Sequence, residues 1–307
     1  APAPAPAPAA DSKDVLATPA TRKLARDLGV ELTAVPGTGP RGRVTKDDIR
    51  SFDGSAAPAA ATAQPLAAPR AASEGSIERI PYRGLRKKIG DQMVRSAHSA
   101  PHFTLVEEVD MTELDVLRKR AKAEGAKRNV KVTYLPFIMK ALVGALKQHP
   151  TMNGMLDEAK SEVVQYKDVH IGFALDSDRG LMVPVIFDAH RKNVFELAGD
   201  LQRLSTAGRE GTITREEMSG STITVTSAGS IGGLFATPII NYPELAILGV
   251  YRVEDRPVVI EGEIRVRKMM YLSITLDHRI VDGGEAARFM NTMKRLLGDP
   301  TQLILEA

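Results

Sequence analysis

The chain has 307 residues, enough for about two cores, and 43% of them are apolar. Its 41 Lys and Arg against 38 Asp and Glu leave a formal charge of only +3. That balance argues against a nucleic acid or a membrane surface as partner, since either calls for a clustered basic excess. There is no cysteine, so disulfides, thiolate nucleophiles and cysteine-ligated metals are excluded, and no metal site is expected. Such usage fits a reducing compartment: the cytoplasm or, in a eukaryote, the mitochondrial matrix. No apolar run approaches the ~20 residues of a membrane span.

The opening APAPAPAPAA is no signal peptide and reads as the interior of a longer protein. Every second residue there lacks an N–H, so no helix ladder forms. The composition returns at 55–72 (SAAPAAATAQPLAAPRAA), and both stretches read as extended, semi-rigid tethers. They divide the chain into a linker at 1–14, a small module at 15–53, a second linker at 54–75 and a large domain at 76–307.

In the small module, Thr18 reads as an N-cap with Pro19 at the first helical position, and Gly29 as the stop. A second short helix starts at Thr45, with Asp47 and Asp48 in its first turn. The loop between them, Gly37-Thr38-Gly39-Pro40-Arg41-Gly42, spells G-x-G-x-x-G. No apolar strand leads into it, Pro40 interrupts it and the unit is too short for a βαβ crossover, so a dinucleotide site is rejected. Arg22 and Arg26 share one helix face and Arg43 follows the loop. With so little core, the module reads as a binding piece.

The large domain alternates helix and strand. Helices are expected at 87–96 and 112–124, the second opened by Thr112 and Asp115 as a capping-box-like pair, and at 134–148, where YLPFIMKALVGALKQ is apolar enough to be buried. Strands are expected at 169–174 and 181–186, a helix at 194–207, then strands at 222–226, 244–250 and 270–276 and a closing helix at 285–297. The pattern predicts a mixed α/β domain with one core and no internal repeat.

Two stretches could carry chemistry. In Leu276-Asp277-His278-Arg279-Ile280-Val281-Asp282-Gly283 a histidine directly follows an apolar strand, where side chains emerge into a cleft. Imidazole, with a reference pKa of about 6.5, suits removal of a proton from a thiol near 8.5. Asp282 is expected to fold back beside His278 or a nearby base. The second stretch, TVTSAGSIGGLFATP, offers hydroxyls at Thr226, Ser227 and Ser230 among glycines, a composition suited to a developing oxyanion. A Ser-His-Asp hydrolase is the rival enzymatic reading, but Ala228-Gly229-Ser230-Ile231-Gly232-Gly233 fits a nucleophile elbow poorly.

The stretch ATPATRKLARDLGVELTAVPGTGPRGRVTKDDIRSF resembles the peripheral-subunit-binding domain of the dihydrolipoamide acyltransferases of 2-oxo acid dehydrogenase complexes. The large domain resembles the catalytic domain of the same family through LRKKIGDQMVRSAHSAPHFTLVEEVDMTEL, GSTITVTSAGSIGGLFATPIINYPELAILGVYRVEDRP and MMYLSITLDHRIVDGGEAARF. The resemblance implies a fold like that of chloramphenicol acetyltransferase. It also implies transfer of an acyl group, acetyl foremost, between a dihydrolipoyl arm and coenzyme A, in a complex of the pyruvate dehydrogenase type. A branched-chain acyltransferase and a catalytically silent scaffold are the alternatives.

By position, the resemblance makes His278 the base, Thr226 the oxyanion donor and Asp282 the acid that orders the site, with Arg95 as a possible partner of Asp282. Arg22, Arg26 and Arg43 would grip acidic faces of the decarboxylase or the dihydrolipoamide dehydrogenase. The lipoyl group is expected on a domain absent from this chain. The family forms trimers with shared active sites, built into a cubic or icosahedral core. In that setting the apolar Leu303-Ile304-Leu305 is expected to be buried against a neighbouring subunit.

Overall fold

The structure is a computed structural model that describes residues 15–52, 77–178, 180–229 and 231–306. The expected linkers at 1–14 and 54–75 lie outside the described residues. The chain divides into two compact units between Ile80 and Pro81.

In the first unit, Thr18 and Pro19 open helix α1 (Pro19–Asp27), the Thr18 hydroxyl accepting the Thr21 N–H at 3.3 Å. The chain then turns at Gly29 with φ +69°. Thr45 and Asp48 form the capping box of α2 (Lys46–Arg50). Asp48 also reaches across the loop to Thr38, accepting its hydroxyl at 2.7 Å and its N–H at 3.0 Å. The Thr38 hydroxyl, then the Thr45 and Thr38 amides, hold the Asp48 carboxyl well below its usual range. Ala25, Leu32, Val35, Val44 and Ile49 make the small core. The G-x-G-x-x-G string becomes a loop between helices containing a single 3-10 turn at Pro40–Gly42.

The second unit runs α3 (Gly84–Ser99), β1 (His102–Asp110), α4 (Thr112–Lys127), α5 (Leu135–Gln148), β2 (Gly154–Asp157), β3 (Glu162–Gln165), β4 (Ile171–Phe173), β5 (Val185–Ile186), α6 (Val194–Glu210), β6 (Ile223–Ser227), β7 (Ala246–Ile260), β8 (Glu263–Asp277), α7 (Gly283–Gly298) and α8 (Pro300–Glu306). Six strands form a mixed sheet in the order β1-β8-β7-β6-β4-β5, and β2 and β3 form a separate hairpin. Strand β6 is parallel to β4 and β7, while β8 runs antiparallel to β7 and β1. The apolar α5 is buried along most of its length and joins α7 and the sheet in one core.

Several expectations are corrected. Thr112 does not open a capping box: its N–H is taken by Asp110 at 2.9 Å, and Asp115 turns inward to a phenol and two cations that hold an anion better than the helix end does. The strand at 181–186 shrinks to Val185–Ile186, with one bridge between Leu175 and Met182. Strands β7 and β8 extend far beyond 244–250 and 270–276, because Glu261 and Gly262, both at positive φ, make the two-residue turn that matches strand twist. Beyond Met269 no third strand among the described residues joins this ribbon, so its side chains, the apolar Val259, Ile264 and Val266 included, lie exposed or half-buried with no core face to pattern them. The closing apolar cluster divides: Leu303 enters its own core, whereas Ile304 and Leu305 are 70% and 78% exposed.

Candidate active site

His278 sits just past the end of β8, and the turn that carries it is tightly held. Asp277, buried, accepts both the backbone N–H of Arg279 at 3.0 Å and its guanidinium at 2.7–3.1 Å. The same guanidinium reaches Glu158 at 2.7 Å, and these acceptors, Asp277 first, raise its pKa. The His278 N–H donates to the Pro101 carbonyl at 2.9 Å. The imidazole stands edge-on to Phe103, with centroids 4.9 Å apart. The side chain is exposed, and no described residue hydrogen-bonds its ring. Both backbone and ring plane are therefore positioned while the ring nitrogens remain open to an incoming thiol.

Asp282 does not fold back onto that ring. Its carboxylate accepts the Glu285 N–H at 2.7 Å and caps α7, because the first turn of a helix offers unsatisfied N–H groups much nearer at hand. Arg95 does not meet Asp282 within the chain either; its guanidinium lies over the Tyr242 ring, 5.0 Å from the centroid.

Thr226 is half-buried near the end of β6, paired with Gly249 of β7. Its hydroxyl has no hydrogen-bond partner among the described residues. Beyond it Ser227 is exposed. A side chain at Gly229 would press on the Tyr251 carbonyl at 2.9 Å, so glycine is what lets the loop pass β7 there. Ser230 lies outside the described residues.

A polar cluster missed in the sequence lies deeper. Glu244 is buried, and its Oε1 accepts from Ser221 at 2.5 Å, Thr224 at 2.9 Å and Asn241 at 2.8 Å. Burial pushes its pKa up to about 7 against the pull of these donors. The only signal in the sequence is its place just before an apolar strand.

In the small module Arg26 and Arg43 are exposed, whereas Arg22 is half-buried and donates to the Val15 carbonyl at 2.5 Å. One group of metal-capable side chains occurs among the described residues: Asp168, Asp188 and His190. His190 is a poor ligand there. Its Nδ1 faces the Val169 N–H and its Nε2 the Arg191 Nε–H, each at 3.2 Å, so both ring nitrogens are already engaged.

Known proteins resemble this chain over most of its length. Residues 74–305 match the model of the 2-oxoacid dehydrogenases acyltransferase catalytic domain, and residues 15–50 match the e3 binding domain. The chain is 42% identical over 306 residues to the dihydrolipoyllysine-residue acetyltransferase component of the Bacillus subtilis pyruvate dehydrogenase complex, covering 96% of this chain and 69% of that protein. It is 44% identical over 294 residues to the lipoamide acyltransferase component of a Pseudomonas aeruginosa branched-chain alpha-keto acid dehydrogenase complex, covering 95% and 68%. Among solved structures, Azotobacter vinelandii dihydrolipoamide acetyltransferase superimposes with a TM-score of 0.73 at 38% identity, over 75% of this chain and 95% of that one. That structure was determined to examine a serine, a histidine and an asparagine in the catalytic mechanism. A chain with this sheet, this histidine turn and these relatives belongs to the 2-oxoacid dehydrogenase acyltransferase family.

Proposed function

We propose that the chain moves acetyl groups between a dihydrolipoyl arm, carried by a lipoyl domain, and coenzyme A, in the core of a cytoplasmic pyruvate dehydrogenase complex. The observation that carries this reading is His278: a positioned, exposed imidazole at a strand end whose nitrogens no described residue hydrogen-bonds. In the A. vinelandii enzyme the histidine and asparagine under study are four residues apart, the spacing of His278 and Asp282.

In the proposed reaction His278 takes the S–H proton of coenzyme A as the sulfur attacks the thioester carbonyl of acetyl-dihydrolipoamide. The hydroxyl of Thr226 donates to the oxygen that becomes negative. Collapse breaks the bond to the dihydrolipoyl sulfur, and the imidazolium returns the proton to that sulfur. Acetyl-CoA and dihydrolipoamide leave; nothing is oxidised and no residue is acylated. Asp282 supports the site through the helix it caps, and Arg95 could reach it only across a subunit boundary. Trimers in a larger core would supply that boundary. The small module would dock the decarboxylase or dihydrolipoamide dehydrogenase through Arg26 and Arg43, with Arg22 bracing its start.

The 44% identity to a branched-chain relative favours a second reading with the same mechanism and a larger acyl group. The two are separated by turnover of acetyl-, isobutyryl- and succinyl-CoA with free dihydrolipoamide. Acetyl-CoA is expected to be fastest. Isobutyryl-CoA in first place would establish the branched-chain reading, and no turnover with any would mean a scaffold without catalysis.

A further inference from the structure

Where β6 ends, the surface opens into a groove of about 440 Å³. Ser227 and Gly229 line it from the strand end, Tyr251 and Met270 from the ribbon, and Tyr134 and Leu135 from the start of α5. Val250, Val253, Thr133 and two cations, Arg252 and Lys268, complete the lining, so aliphatic and aromatic side chains make up just over half of it and the phenol of Tyr134 forms one wall.

That phenol is held from two sides. The Tyr134 hydroxyl donates to Asp115 of α4, whose side chain is only 3% exposed. Asp115 also accepts from Arg118, through Nε at 3.1 Å and Nη2 at 2.8 Å, and pairs with Lys119 at 2.9 Å. The Arg118 guanidinium lies over the Tyr134 ring, 4.5 Å from its centroid. Burial works to raise the Asp115 pKa, yet the bonds from Tyr134, Lys119 and Arg118 hold it well below the usual carboxylate range. The anion therefore persists at any working pH and keeps its grip on the ring. Packing alone would be met by phenylalanine. A buried carboxylate with three partners is a costly way to support a surface ring, unless the tilt of that ring matters.

We infer that Asp115 is a positioning residue, setting Tyr134 as the wall against which a narrow aliphatic thiol arm lies on its way to Thr226. The arm is the pantetheine of coenzyme A or the dihydrolipoyl chain, which share this chemistry. The inference rests on the acyl-transfer reading above.

The test compares Tyr134→Phe, Asp115→Asn and the double variant with the unaltered assembly. It measures kcat, KM for coenzyme A and for acetylated dihydrolipoamide, and melting temperature. Tyr134→Phe keeps the ring and removes only the hydroxyl, so it remains informative if Asp115→Asn folds poorly. Losing one hydrogen bond is expected to raise KM about 3- to 10-fold for one of the two substrates, with kcat within about twofold. The substrate whose KM rises identifies the arm. Since both single variants break the same contact, the double should be no worse than the poorer single. Unchanged KM values in Tyr134→Phe overturn the inference, whether or not the melting temperature falls, and so does an equal rise for both substrates. An unaltered protein without acyl transfer would be a different failure, that of the underlying reading, visible before any variant is made.

Discussion

Thr226 and His278 stand two strands apart in the same sheet and at different levels along it. Thr226 pairs with Gly249 and, through it, lies in register with Ser273 of β8, five residues before His278. At ~3.3 Å per residue this places the hydroxyl and the imidazole roughly 16 Å apart along the strands, before the two strand spacings between them are added. Groups so far apart cannot serve one reacting carbon within one chain. Acting together, they must come from two copies.

Complementation between two inactive variants follows from that separation. His278→Ala should lower kcat by ~10²–10⁴-fold, the usual range for a lost general base. Thr226→Ala should lower kcat by roughly 10²-fold and change KM less, since an oxyanion contact forms mainly in the transition state. Dissociated, mixed and reassembled, the two variants should regain part of the activity, because some sites then combine an intact histidine with an intact threonine. A mixture as inactive as its parents would rule out a site shared between chains.

Glu244 should make stability depend on pH. Its folded pKa, about 7, lies above the ordinary 4.5, so the folded state holds the proton more tightly than the unfolded chain. The resulting stabilisation is complete below about pH 4.5 and is lost as pH rises to about 7, on the order of 3 kcal/mol in all. Glu244→Gln keeps an acceptor for Ser221, Thr224 and Asn241 without the titration. Denaturant unfolding across this range should show a falling free energy for the unaltered protein and a flatter profile for the variant. Parallel profiles would remove Glu244 as the cause.

Binding of an acidic dehydrogenase or decarboxylase by the small module should weaken with salt, since the Debye length falls to ~3 Å at 1 M. Arg26→Ala and Arg43→Ala, both at exposed positions, should weaken it and reduce the salt dependence. Arg22→Ala should also lower the melting temperature of the module, because it removes the bond to Val15. Salt-insensitive binding that survives Arg43→Ala would assign the contact to other residues.

At the C-terminal helix, packing and assembly can be tested separately. Leu303→Ala opens a cavity in the chain's own core and should cost ~2–5 kcal/mol of stability. Ile304→Ser with Leu305→Ser touches only exposed side chains, so melting of the isolated subunit should barely change. Light scattering should then show the large particle breaking into smaller units that keep much of their activity. An unchanged particle mass would mean that these two residues make no contact between copies.

Much of this molecule was legible along the chain because the signals are local. The Thr18–Pro19 start, the stop at Gly29, the Thr45–Asp48 box and the apolar run of α5 depend on neighbours a few residues away, as does the histidine placed after a strand. The ribbon was only half visible, since its outer half pairs with itself alone and carries no buried face. What tertiary structure decided is which partner each polar group found. Asp282 went to a helix end, Asp115 to Tyr134, and Glu244 to hydroxyls 20 and 23 residues upstream. The separation of Thr226 from His278 likewise follows from β8 running antiparallel beside β7. Burial and strand direction are settled by contacts between distant segments, and no local pattern of residue types encodes them.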